Sequence, residues 1–147
     1  MSSFFYVKYI HMYNNKKIGV GIVTCNRKDS FKNLFKQIKN NNIIDFICVV
    51  KNKDYDYADS DPFLLCNEHN TYYKHIKDNC GVGFCKNTCL KKLLDEQCDY
   101  LFIIEDDIHI KNDNVFAEFI KVSEYFNIEH LNWNNIPTVE NNKTITF

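Results

Sequence analysis

Apolar residues form short runs along the chain, and each run ends in polar residues. The clearest run, residues 100–104, is rich in β-branched and aromatic residues, which predicts a strand buried on both faces. Runs at 18–23, 46–50 and 72–76 predict three further strands. Looser patterns mark candidate strands at 4–13, 128–133 and 144–147.

Apolar residues spaced three and four apart predict helices between these strands. We expect one helix to start near Ser30, one to open at 79–87 and end near Gln97, and one to be capped by Asn112 or Asp113. Their apolar faces are predicted at Phe31, Leu34, Phe35 and Ile38, then Leu90, Leu93 and Leu94, then Val115, Phe116, Phe119 and Ile120. Strands that alternate with helices predict an α/β fold with a mostly parallel sheet flanked by helices.

The composition narrows the class of protein. A chain of 147 residues with 45% hydrophobic residues predicts one domain with a substantial core. The net charge of -1 does not favour nucleic acid as a partner. No apolar run approaches the roughly 20 residues of a membrane span, so none is expected. The sequence carries no signal for an oligomeric state.

Seven cysteines, several inside apolar runs, favour free thiols in a reducing compartment, so we expect a cytoplasmic protein. Heavy use of asparagine and lysine is typical of an AT-rich genome, such as that of a large virus, in which case the cytoplasm is the host's. The cysteine spacings are not those of a zinc site, because no Cys-x-x-Cys pair occurs.

Three acids, Glu105, Asp106 and Asp107, directly follow the 100–104 run. Adjacent carboxylates repel one another and resist desolvation, and a divalent cation relieves both effects. Their hard oxygens suit Mn²⁺ or Mg²⁺ held together with substrate phosphates. A polar turn that ends a strand explains the same acids, and the triplet alone leaves both interpretations open.

Polar residues also follow the other predicted strands. Thr24 and Asn26 offer hydrogen bonds, and Arg27 offers a planar charge for a phosphate or a base. Asn52 and Asp54 follow the next strand and can contact a base or a ribose. Taken singly, each of these loops is more simply explained as an ordinary solvated connection.

The third loop opens a helix with Gly81 and Gly83, followed by Lys86 and Asn87. Glycines permit close approach of a ligand to the backbone, and a helix amino terminus favours anions. The pattern is neither a dinucleotide fingerprint nor a phosphate-binding loop, because the required glycine spacing and the Gly-Lys-Ser/Thr ending are missing.

Taken in order, these segments resemble the nucleotide-sugar half of GT-A glycosyltransferases. Ile18-Gly-Val-Gly-Ile-Val-Thr-Cys-Asn-Arg27 resembles the first strand and loop of family 2 enzymes, with Cys25 in place of the usual aromatic residue. Residues 79–87 are similar to the family's Asn-x-Gly…Arg-Asn helix start, with Lys86 in place of arginine. Ile103-Ile-Glu-Asp-Asp-Ile108 matches the metal motif in its Glu-Asp-Asp form, most like the N-acetylglucosaminyltransferase I type.

The resemblance implies a Rossmann-like GT-A fold, with residues 17–110 as the nucleotide-sugar half and 111–147 as the start of an acceptor half. It implies that Asp107 binds Mn²⁺ or Mg²⁺, supported by Glu105, and that Asp106 contacts the ribose. The remaining implied donor contacts are Thr24, Asn26, Arg27, Asn52 or Asp54 at the base, and Lys86 with Asn87 near the diphosphate.

The implied activity is transfer of a sugar from a nucleoside diphosphate donor, first of all a UDP-sugar, to a hydroxyl of a glycan or another acceptor, with inversion. No catalytic base can be assigned, because the acids after Asp107 lack a recognisable context. Three alternatives stay open: a nucleotide-sugar binding module without turnover, a sugar nucleotidyltransferase, and an interaction domain whose acids form a turn. The second would need a glycine-rich loop after the first strand, which residues 24–29 lack.

Overall fold

The computed structural model describes residues 13–52 and 70–131, which form four strands and three helices. The strands are β1 (Ile18–Thr24), β2 (Phe46–Asn52), β3 (Thr71–Ile76) and β4 (Tyr100–Glu105). The helices are α1 (Lys28–Lys39), α2 (Gly81–Asp95) and α3 (Val115–Phe126). The chain divides into two compact units, Met1–His109 with the sheet, α1 and α2, and Ile110–Phe147 with α3.

The four strands form one parallel sheet in the order β3-β2-β1-β4. The predicted α/β class with a parallel sheet is therefore confirmed. From β1 the chain steps outward to β2 and β3, and it then returns across the sheet to place β4 on the other side of β1. Right-handed crossovers in opposite directions place their helices on opposite faces, so α1 and α2 cover the two sides of the sheet.

Alternation along β1 separates these two faces. Ile18, Val20 and Ile22 are fully buried on one side, and the predicted apolar face of α1 is confirmed by its buried residues Phe31, Leu34, Phe35 and Ile38. On the other side stands Gly21, where an added Cβ would lie 2.7 Å from the Cβ of Cys89 on α2. Glycine therefore allows α2 to approach the sheet closely.

The layer between α2 and the sheet is rich in cysteine. Its buried members include Cys48 on β2, Cys85, Cys89 and Leu93 on α2, and Cys98 just before β4. Burial raises the pKa of the Cys85 and Cys98 thiols, which keeps them protonated and inert. Cys85 and Cys89 are thus small buried residues of α2, and all six described cysteines are free thiols.

The prediction that Leu94 is buried on this helix was wrong, because its exposed fraction is 61%. Successive helical residues are rotated by about 100°, so Leu93 faces the sheet and Leu94 turns away. Leu93 is buried as predicted, Leu90 is only partly buried, and Cys85 and Cys89 complete the buried stripe.

β4 was predicted to be buried on both faces, and this was also wrong. All six of its residues are partly exposed, whereas every residue of β1 and β2 is buried. Within the described sheet β4 is the outermost strand beside β1. The apolar composition of β4 fits a strand that is covered on one face and pairs with a neighbour along one edge. A central strand can have the same composition, so composition alone does not distinguish the two positions.

Two helix starts differ from the prediction. Helix α1 begins at Lys28, two residues before Ser30, because Asn26 adopts a left-handed backbone (φ 63°) that turns the chain directly into the helix. The cap of α3 is Asn114, and Asn112 contributes by accepting a hydrogen bond from the Asn114 backbone N–H at 2.9 Å.

Several predicted features lie outside the described residues: the strands at 4–12 and 144–147, the last two residues of 128–133, and Asp54. Residues 128–131 do not form a strand. A polar turn follows residue 13, where Asn14 and Asn15 have positive φ and Tyr13 bridges Lys16. None of the helices in the described ranges has the length and apolar character needed to cross a membrane.

Candidate functional site

The acidic triplet lies at the carboxyl edge of the sheet, where β1 and β4 end side by side. Val23 is the register partner of Glu105, and the Asp106 N–H continues the pairing by donating to the Val23 carbonyl at 3.1 Å. The strand order reverses between these two strands. In open α/β sheets, ligands bind at the carboxyl ends of strands at such a reversal, so this edge is the candidate site.

Asp106 is the buried member of the triplet, with an exposed fraction of 3%. Its Oδ2 accepts hydrogen bonds from the Thr24 hydroxyl at 2.8 Å and from the Cys25 N–H at 3.1 Å. Its Oδ1 accepts one from Arg27 Nη1 at 3.2 Å. Three donors, one of them charged, offset the cost of burying the carboxylate. Asp106 therefore ties the end of β4 to the loop after β1.

The shape of that loop depends on Asn26, whose φ of 63° lies in the left-handed region. Asparagine tolerates this region better than most residues. The chain reverses there, so that Arg27 stands at the amino end of α1 with its guanidinium directed at the acids. The role of Asn26 at a base stays a prediction, and the structure shows that this residue forms the backbone turn.

Arg27 bridges two acids through the same nitrogen. Nη1 lies 2.6 Å from Asp107 Oδ2 in addition to its bond with Asp106. The hydrogen bond with Asp107, followed by the charge of Asp106, raises the pKa of the guanidinium. Arg27 is therefore a permanent cation at this edge, and both it and Asp107 remain about half exposed to solvent.

Glu105 forms its ion pair with α2, whereas Asp106 and Asp107 pair with Arg27 in the loop after β1. Lys86, in the second turn of α2, places its Nζ 2.7 Å from Glu105 Oε1, and both side chains are partly exposed. The triplet therefore lies between the loop that contains Asn26 and the helix that begins at Gly81. Each of its two exposed carboxylates has its own cationic partner.

Asn52, at the end of β2, fixes the start of α2. Its Nδ2 donates to Asn79 Oδ1 at 3.1 Å, and its Oδ1 accepts the Cys80 N–H at 3.4 Å. Gly81, which follows, has a φ of 81° that favours glycine. The bracing role of Asn79 was not predicted, although an asparagine two residues before a glycine was a local signal for a turn.

The structure brings four of the predicted site residues into one contact network, Thr24, Arg27, Asp106 and Asp107. A separate ion pair joins two more, Lys86 and Glu105, beside it. Asn52 is buried on the neighbouring loop, and Asn87 is exposed on α2 one residue beyond Lys86. The donor-binding roles of these residues stay predictions.

The carboxylates of the triplet are also candidate metal ligands. Within residues 13–52 and 70–131, no group of three or more His, Cys, Asp or Glu side chains is arranged to hold a metal ion. The oxygens of Asp106 already accept three bonds, whereas Asp107 and Glu105 are accessible. One or two carboxylates completed by water and substrate phosphates is the usual way that Mg²⁺ is held, and the chain fits that mode better than a cage of protein ligands.

No protein-family model matches the chain, and no curated protein matches it in sequence.

Proposed function

We propose that the chain is a metal-dependent glycosyltransferase with a Rossmann-like GT-A fold, which moves a sugar from a nucleoside diphosphate donor, first of all a UDP-sugar, to an acceptor hydroxyl. One observation carries the proposal. Two accessible carboxylates, Asp107 and Glu105, stand at the carboxyl edge of a parallel sheet where the strand order reverses, and each lies beside a basic residue. This combination suits a diphosphate and a divalent cation.

In this proposal Asp107, supported by Glu105, holds Mn²⁺ or Mg²⁺, which when bound offsets the negative charge that develops on the diphosphate leaving group. Arg27 and Lys86 donate hydrogen bonds to phosphate oxygens. Thr24 is buried with its hydroxyl on Asp106, so it supports the loop from behind. A ribose contact by Asp106 would have to reach its buried Oδ1, which accepts a single bond, from Arg27, among the three that the carboxylate accepts.

Isothermal titration calorimetry with UDP, in the presence and absence of Mn²⁺, tests the proposal. We expect the wild type to bind UDP with Mn²⁺ and much more weakly without it. Asp107→Ala should weaken binding by about 10- to 100-fold, the range typical of changes around a metal site. Asp95→Ala, at an exposed position at the far end of α2, is the matched control and should bind as the wild type does.

The outcomes separate the competing functions. Binding that ignores both Mn²⁺ and the Asp107 substitution contradicts the metal site. Metal-dependent binding of a UDP-sugar without hydrolysis or transfer favours a nucleotide-sugar binding module. No binding under any condition favours an interaction domain in which the ion-paired acids only end a strand.

A further inference from the structure

The charges at the site are nearly balanced before any ligand binds. Glu105, Asp106 and Asp107 face Arg27 and Lys86, so three carboxylates meet two cations and one negative charge remains. The two shortest contacts, at 2.6 and 2.7 Å, involve the two accessible acids, which are those expected to meet a metal ion. A divalent cation therefore has to compete with a protein cation for each of them.

Arg27 contacts two carboxylates, so it would keep one partner if it lost the other. The same Nη1 that contacts Asp107 also contacts the buried Asp106 at 3.2 Å. If the bond with Asp107 is released, the guanidinium stays tethered to a carboxylate that is itself fixed by Thr24 and Cys25. The freed donors of Arg27 would then lie beside the edge, where a diphosphate can accept them.

We propose that Arg27 and Lys86 are resident counter-cations, which neutralise Asp107 and Glu105 in the empty site and transfer to the diphosphate when a divalent cation takes the carboxylates. This inference rests on the proposed function, because it assumes that the edge binds both ligands. It adds that the two ion pairs determine how strongly the binding of the divalent cation and the binding of the diphosphate affect each other. Metal alone must displace Arg27 and Lys86, and diphosphate alone meets cations that are already paired, so each ligand promotes binding of the other.

Removal of a counter-cation should therefore act in opposite directions on the two ligands. Binding of Mn²⁺ alone becomes tighter, since its competitor is gone, while binding of UDP with Mn²⁺ becomes weaker, since a phosphate donor is gone. Ion pairs with this much solvent access are weak, so we expect a change of about two- to fivefold in the dissociation constant for Mn²⁺ alone.

The experiment measures Mn²⁺ binding by electron paramagnetic resonance of the free ion, with and without UDP, on folded protein. Arg27→Gln and Lys86→Gln remove the charges and keep polar side chains. Arg27→Lys keeps a cation at the loop, and Lys91→Gln removes a charge from the exposed face of α2. Thr24→Val loosens the Asp106 brace without changing the charge. We expect tighter Mn²⁺ binding and a smaller effect of UDP in the two glutamine variants only.

Failure of the inference differs from failure of the proposed function. If the wild type does not bind Mn²⁺ with UDP, the proposed function itself is wrong. If it does, but Arg27→Gln and Lys86→Gln bind Mn²⁺ alone no more tightly than the wild type, the counter-cation inference is overturned and the function stands. Equal tightening in Thr24→Val also overturns it, because a loosened loop would then explain the effect. Lys86→Gln keeps the test valid if Arg27→Gln does not fold.

Discussion

Asp106 and Asp107 are identical neighbours in sequence with opposite environments. The side chain of Asp106 is almost completely buried and accepts bonds from three donors, whereas that of Asp107 is 51% exposed and pairs with Arg27. A buried carboxylate is tolerated only where hydrogen bonds and charge replace water. At this scale we interpret Asp106 as the brace of the site and Asp107 as its accessible ligand group.

We predict that Asp106→Asn lowers the free energy of unfolding by about 2 kcal/mol, because bonds to a buried charged acceptor are each worth about 1.5–3 kcal/mol and an amide replaces one acceptor oxygen with a donor. Urea denaturation measures the change. Asp107→Asn, the same substitution one residue away, should change stability by no more than about 0.5 kcal/mol. Equal losses in the two variants would contradict the assignment of the brace to Asp106.

The sequence predicted that three acids follow a strand and that polar loops share their edge of the sheet. The resemblance implied a role for each acid of the triplet, but the residue pattern did not show that Asp106 is the acid that turns inward. Which acid turns inward depends on where β4 stops pairing with β1 and on the left-handed backbone at Asn26. The first depends on pairing across about 80 residues of chain and the second on the loop after β1, so neither is encoded in the local pattern of acids.

Among the elements, α2 shows that packing determines which residues of a helix are buried when the sequence pattern allows more than one choice. A leucine stripe was expected, and a stripe of two cysteines and Leu93 is observed. Cysteine behaves as a small apolar residue, and its size suits the close approach at Gly21, where a larger side chain would collide with the helix. The small residues of α2 and β1 therefore match each other.

We predict that Leu93→Ala costs about 2–5 kcal/mol of stability, because it leaves a cavity in a fully buried layer. Leu94→Ala should stay within about 0.5 kcal/mol, since its side chain is largely in solvent. Guanidinium chloride denaturation compares the two variants directly. A larger loss for Leu94 than for Leu93 would show that α2 turns Leu94, and not Leu93, toward the sheet in solution.

For the sheet-bearing unit, alternation of strands and helices in the sequence was sufficient to predict a parallel α/β arrangement. The order β3-β2-β1-β4 could not be predicted, because it depends on pairing between residues as distant as Ile18 and Tyr100. The same long-range pairing leaves β4 outermost in the described sheet and places its acids beside β1, at the edge that we propose as the site.

At the opposite edge of the sheet, where β1 and β4 begin, Glu96 and Asp99 bind neighbouring lysines, and the pKa values of both acids are lowered. Asp99 accepts the Lys17 N–H at 2.7 Å, and this bond is the first cause of its lowered pKa. The pKa of Glu96 is lowered first by its bond with Lys92. Carboxyl groups with lowered folded-state pKa values add stability above their unfolded values of about 4, and this is lost as pH falls through the folded values.

We therefore predict that the free energy of unfolding is nearly constant from neutral pH to about pH 5 and falls below about pH 4. Asp99→Asn should be less stable at neutral pH and should lose less stability on acidification. Urea midpoints at pH 7, 5 and 3 measure both effects. An unchanged acid dependence in this variant would exclude Asp99 as a contributor.

The cysteine layer beneath α2 divides the described thiols into two chemical populations. Cys25 and Cys80 are accessible to varying degrees, whereas Cys48, Cys85, Cys89 and Cys98 are covered. An alkylating reagent can reach the covered group only when helix and sheet separate. The four covered thiols therefore report the separation of helix and sheet, and the rate at which they are alkylated measures how often it occurs.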